Sequence, residues 1–193
     1  MKIIFTLLSS LMLFASLSYA GPFGTTMGDS PDKYTDLKNT KTNQFGIERY
    51  QTTKMPKMHS SFEAYILDFG STGLVSVMAV SEIFDNDRAG IKARNTYDTL
   101  KKQLSEKYGS PLVREMLSPS SIWKKENEFI ASIVHNERVH GCQWEKNLPD
   151  NLKGIQLIIY GESYDRARVV IKYTYINIDE VNKMQEKNEK DSL

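Results

Sequence analysis

The side chains of this sequence best suited to chemistry are three histidines, His59, His135 and His140, and a single cysteine, Cys142. His140 and Cys142 stand two apart, so on an extended strand they share a face. As metal ligands they would supply half of a structural zinc site, which takes four. His135 could approach across a turn, but there is no second cysteine, and no metal is expected. As nucleophile and base, Cys142 and His140 would need a third group to orient the imidazole, and the local sequence offers none. Val139-His140-Gly141-Cys142-Gln143-Trp144 has the composition of a strand, where a small buried apolar side chain is the expected state of Cys142.

The hydroxyls and carboxylates give no stronger set. Gly70-Ser71-Thr72-Gly73 reads as a turn between strands, not the strained Gly-x-Ser-x-Gly elbow of a serine hydrolase. Asp85 and Asp87 flank Asn86, but Ala89-Gly90 does not follow the spacing of a calcium loop, and helix capping is the expected role. Glu162 and Asp165 bracket a turn and read as solvated. Gly21-Pro22-Phe23-Gly24 precedes no strand–helix unit that could cradle a phosphate. No catalytic residue and no cofactor is therefore expected. What remains is aromatic: ten Tyr, eight Phe and two Trp, with Tyr160, Tyr164, Tyr173 and Tyr175 gathered near the last hairpin. Tyrosine is enriched at interfaces, so Tyr164, Tyr173 and Tyr175 are the candidate binding residues. Tyr173 and Tyr175 share a strand face and become core if a helix covers it; Tyr164 lies in the turn and should stay exposed either way.

The elements that position these residues follow from pattern. Ser30-Pro31 with Asp32 reads as the start of a short N-terminal helix that fades into Asn39–Asn43. One short strand is expected near 47–52. Two apolar runs, 62–69 and 74–84, joined by the Gly-containing turn, read as a hairpin. Tyr97, Leu100, Leu104 and Tyr108 recur at steps of three and four and define one face of a long helix. Asp87 is placed to cap it, and Gly109 with Pro111 to end it. Residues 112–119 read as connection, and Ser121-Ile122-Trp123 as a β region. Residues 129–134 and 139–144 read as a second hairpin around His135–Arg138. Ile155–Tyr160 is apolar throughout, as in a central strand, and Val169–Tyr175 alternates with period two. The expected fold is α+β: a mostly antiparallel sheet of about five to six strands packed against one long amphipathic helix, with a short N-terminal helix. Residues 21–178 would form the single domain and 179–193 a polar C-terminal tail.

The first 20 residues read differently. Lys2 is followed by the apolar run Ile3 to Leu17, and Ser18-Tyr19-Ala20 places small residues at −1 and −3. These are the parts of a cleavable signal peptide, and the run is short of the roughly 20 residues that span a bilayer. A mature chain from Gly21, periplasmic or secreted, is expected, with no transmembrane segment after cleavage. Removing 20 residues from 193 leaves 173, and losing Lys2 brings the 25 basic side chains to 24, against 24 acidic. A near-neutral chain lacks the basic field that holds nucleic acid, so nucleic acid is excluded as a partner. With a single cysteine there is no internal disulfide, so stability must come from the core.

Several short motifs together resemble a loose group of exported bacterial proteins of unknown function. They are the signal peptide, Phe23-Gly24-Thr25-Thr26-Met27-Gly28, an amphipathic helix closing on Lys107-Tyr108-Gly109-Ser110-Pro111, Ser121-Ile122-Trp123, and Leu148-Pro149-Asp150-Asn151-Leu152-Lys153-Gly154-Ile155. The resemblance covers most of the mature chain and implies no catalytic signature. The Gly-x-Ser start and the helix-then-hairpin order also look like small outer-membrane assembly modules, which bind partner proteins through sheet and helices. The expected function is that of a soluble, non-enzymatic binding or interaction module whose partner is another envelope protein. The alternative is an enzyme or enzyme inhibitor with a site assembled from scattered residues.

Overall fold

The computed structural model describes residues 21–42 and 46–191; the signal peptide expected over 1–20 lies outside them. Eight strands form one antiparallel sheet: β1 (Lys38–Thr42), β2 (Glu48–Thr52), β3 (Ala64–Gly70), β4 (Gly73–Val80), β5 (Leu112–Leu117), β6 (Arg138–Trp144), β7 (Leu152–Ser163) and β8 (Arg166–Tyr175). Their order across the sheet is β1-β2-β3-β4-β8-β7-β6-β5. Among the described residues, three α-helices accompany it: α1 (Ile91–Tyr108), α2 (Phe129–Val134) and α3 (Ile178–Asp191). The fold is α+β, as the patterning predicts. Among the described residues no helix is long and apolar enough to cross a membrane.

The chain leaves the middle of the sheet after β4, and α1 carries it to the far edge, where β5 begins. The predicted apolar face packs inward: Tyr97, Leu100 and Leu104 are buried together with Ala93. Asp87 accepts the backbone N–H groups of Lys92 and Ala93 at 3.1 and 3.0 Å, so it caps the helix across the left-handed Gly90. Gly109 closes the other end with φ 82° and its N–H on the Ser105 carbonyl. The helix covers the sheet face formed by Leu157, Ile171, Tyr173 and their neighbours, which is the core.

Several expectations are corrected. The sheet has eight strands rather than five or six, because β1 and β5 lie at its two edges, where exposure on both faces removes any burial period. Residues 112–117, expected as connection, are β5, and Lys38–Thr42, expected as a fading helix, is β1. The short N-terminal helix is a single 3-10 turn, Pro31–Lys33. Ser30 makes no capping bond there; buried Asp29 organises the segment instead, accepting from Thr26 N, Tyr34 Oη and Lys33 Nζ. Residues 129–134, expected as a strand, are helix α2. An apolar run this short cannot be told from a buried strand by periodicity. Gly161 decides its seat: a Cβ there would lie 2.6 Å from Val134 Cγ2, so only glycine lets α2 rest on β7. Finally, Ser121–Trp123 is no strand but a bend at Ile122, where the Trp123 N–H donates to Ser121 Oγ at 3.0 Å. Most of the stretch expected as a polar tail forms α3, which buries Val181.

Candidate functional site

Tyr173 and Tyr175 are core residues, which corrects their assignment to a binding face. The period of two on β8 turns both toward the side that α1 and the N-terminal segment cover. Tyr173 meets the rings of Phe23 and Tyr108 at centroid distances of 5.7 and 6.5 Å. Tyr175 is fully buried and shares a 2.6 Å hydrogen bond with Thr25 Oγ1. Burial pushes the Tyr175 phenol up to about 12, so it stays a neutral hydroxyl at physiological pH.

Cys142 and His140 do share a face of β6, but they do not form a nucleophile and base. Cys142 is buried; desolvation raises its thiol pKa, and the Tyr97 hydroxyl offsets only part of that rise. The thiolate is the reactive form, and this environment withholds it. His140 lies between the rings of Tyr97 and Phe129, at 4.8 and 5.3 Å, and burial lowers its pKa, keeping it neutral. The carboxylate opposite it, Glu115 on β5, is already engaged, accepting from Tyr97 Oη at 2.9 Å and Lys101 Nζ at 2.6 Å. Among the described residues no group of three or more His, Cys, Asp or Glu is placed to hold a metal ion.

Tyr164 is 52% exposed at the tip of the β7–β8 turn, and it is not alone there. Its hydroxyl is 3.1 Å from His135 Nε2, and its ring lies 5.4 Å from the imidazole and 6.0 Å from the Trp123 indole. Trp123 and His135 stack in parallel, 4.9 Å apart with 7° between their planes. Ile122 projects beside them at 76% exposure. Three separate segments build this surface cluster, and each is fixed locally.

The turn carrying Tyr164 is tied to the segment before α1. Asp87 N donates to the Asp165 carbonyl at 2.8 Å, and Arg166 Nε pairs with Asp85 at 2.7 Å. His135 terminates α2, with its N–H on the Ala131 carbonyl. Glu137 holds the loop of Trp123: its carbonyl accepts from Ser118 N and its carboxylate from Ile122 N, at 2.7 and 3.3 Å. The result is a rigid aromatic surface with polar atoms at its edge, which can bury area against a partner at little entropic cost. Trp123 and His135 are the members that sequence reasoning does not find. They reach Tyr164 only because 129–134 is a helix that returns the chain toward the last hairpin.

Compared with family models, with curated proteins and with solved structures, the chain matches none.

Proposed function

We propose that this chain is an exported, non-enzymatic binding module that captures another protein of the cell envelope through the Trp123–His135–Tyr164 platform. The leader-like pattern of residues 1–20 supports the export, and with it a periplasmic or secreted location. The observation that carries the binding reading is the surface aromatic cluster, a half-buried Trp123 stacked on exposed His135 with exposed Tyr164 and Ile122 at its side. The exposed rings and Ile122 gain little from folding at this spot, whereas interface centres are enriched in large aromatics. The environment of Cys142 and His140 supports the same reading, since it favours packing over reaction.

The test is capture of envelope protein by residues 21–193, followed by titration of the purified captured species. Trp123→Ala and Tyr164→Ala should each keep the melting temperature and weaken binding at least tenfold, while Tyr160→Ala, an exposed side chain on β7 that makes no ring contact with the cluster, should change nothing. Equal binding by wild type and both cluster variants removes the platform from the site. Steady turnover of a defined substrate by the purified chain refutes the non-enzymatic reading.

A further inference from the structure

We infer that the shallow cavity between α1, α2 and β6 is a binding site for an oxyanion, a carboxylate or phosphate group. Two guanidinium groups define it. Arg94 on α1 and Arg138 on β6 both lie against the ring of Phe129, with their central carbons 4.9 and 4.7 Å from its centroid. Both line a cavity of about 340 Å³ together with Lys124. Among the described residues, none of these three side chains is in an ion pair with a carboxylate.

This arrangement is unfavourable as it stands. Like charges repel, and Arg138 registers it: burial and the neighbouring Arg94 charge both lower its pKa. The Phe129 ring offsets part of the repulsion through cation–π attraction, but it is not a counter-ion. The two carboxylates on the rim do not substitute for one. Glu115 is held by Lys101 and Tyr97, and Glu126 is exposed. An anion held in this cavity by both guanidiniums would relieve the repulsion and use the planar forks that suit carboxylate and phosphate geometry.

The site is also held in place before any ligand arrives. Arg138 Nε donates to Ser132 Oγ at 2.8 Å, and that buried hydroxyl donates in turn to the Phe129 carbonyl at 2.6 Å. Arg94 donates through Nε to the Gly90 carbonyl and through Nη2 to the Ala89 carbonyl, at 3.4 and 3.0 Å. Gly90 is the residue that permits this: its φ is +67°, and a Cβ there would lie 2.4 Å from Phe129 Cδ1. Among the described residues, these bonds leave Nη1 of Arg94 and both terminal nitrogens of Arg138 without a protein acceptor. Fixing the donors in advance lowers the entropic cost of binding.

The probes are sodium phosphate and sodium glutarate, titrated into residues 21–193 at constant ionic strength against chloride and followed by the arginine Nε–Hε resonances. Wild type should bind at least one probe with shifts confined to Arg94 and Arg138. Arg94→Gln and Arg138→Gln should each weaken it at least tenfold, and Arg166→Gln should leave it unchanged. Arg138→Lys guards against misfolding, since it keeps the charge and should retain part of the affinity. Binding of phosphate alone points to a phosphoryl ligand, of glutarate alone to an acidic side chain or chain terminus, and of both to the shared oxyanion chemistry. Neither probe exceeding chloride, or equal affinity in wild type and both glutamine variants, overturns the proposal. Trp123→Ala should leave this binding intact, so failure of the aromatic platform and failure of the anion site are separable.

Discussion

Arginine is placed against this sheet at both ends, and the two ends treat it in opposite ways. Near the β1 edge, Arg49 makes a two-pronged bond to Asp68, at 2.7 and 3.0 Å, and Ser76 Oγ donates to the same carboxylate at 2.8 Å. The charge is answered, and the bond to Asp68 raises the Arg49 pKa. Near the β5 edge, Arg138 shares a phenyl ring with Arg94, and its pKa moves down. A guanidinium whose partner lies within the chain is part of the fold's own support. Two guanidiniums on one ring, with no carboxylate partner among the described residues, have a stability cost that a ligand can remove. The same contrast runs through the tyrosines: Tyr175 has its hydroxyl partner inside the core, whereas Tyr164 is half exposed and has its hydroxyl beside exposed His135.

The largest effect should come from breaking the answered end. Asp68→Ala removes the acceptor of three hydrogen bonds at a buried position and should cost about 1–3 kcal/mol in urea denaturation. The upper values for broken buried pairs do not apply, because Arg49 is 43% exposed and stays hydrated after its partner is lost. At the other end, Arg94→Gln loses bonds to two backbone carbonyls but also a like-charge neighbour. Its stability change should stay within about 1 kcal/mol. Equal destabilisation by the two substitutions would mean that Arg94 is as structural as Asp68, and the difference between the two ends would vanish.

How much of this the sequence could reveal depended on burial. The α1 face was legible because one side of the helix is buried and the other is not, its stop because Gly109 and Pro111 follow, and the β3–β4 hairpin because two largely buried apolar runs flank a Gly-containing turn. The β8 alternation was legible too, but it could not say what covers the face, and that decided Tyr173 and Tyr175. β1 and β5 left no pattern, because an edge strand exposed on both sides carries no period; Lys-Asn-Thr-Lys-Thr is polar throughout and Leu-Val-Arg-Glu-Met-Leu is mixed. The candidate sites were legible only in single members. The exposure of Tyr164 follows from its turn. Its contacts with Trp123 and His135 depend on α2, six residues long and too short to declare itself. Arg94 and Arg138 are 44 positions apart in the numbering, and nothing local in either neighbourhood announces the other.

The smallest effect, and the one that sharpens the comparison most, concerns Glu115. It stands on the rim of the unanswered arginine pair, one of the two carboxylates there that could have served them. Burial pushes its pKa up, but the hydrogen bonds from Lys101 and Tyr97 pull it down further, and the net shift is below the ordinary carboxylate value. A carboxyl whose folded pKa is depressed stabilises the native state above its unfolded pKa of about 4.3, and that stabilisation is lost as pH falls through the lower folded value. The side chain is about a third solvent-accessible, so the contribution is discounted for screening and should be no more than about 0.5 kcal/mol. Glu115→Gln should therefore be slightly less stable than wild type at pH 7, and the gap should close as the pH falls below 4. If Glu115 belonged instead to the arginine pair, Glu115→Gln would leave Arg94 and Arg138 with one counter-charge fewer, and phosphate or glutarate would bind the variant much more tightly. Affinities equal to wild type within about twofold, together with the pH-dependent gap, would assign Glu115 to Lys101 and leave the arginines to their ligand.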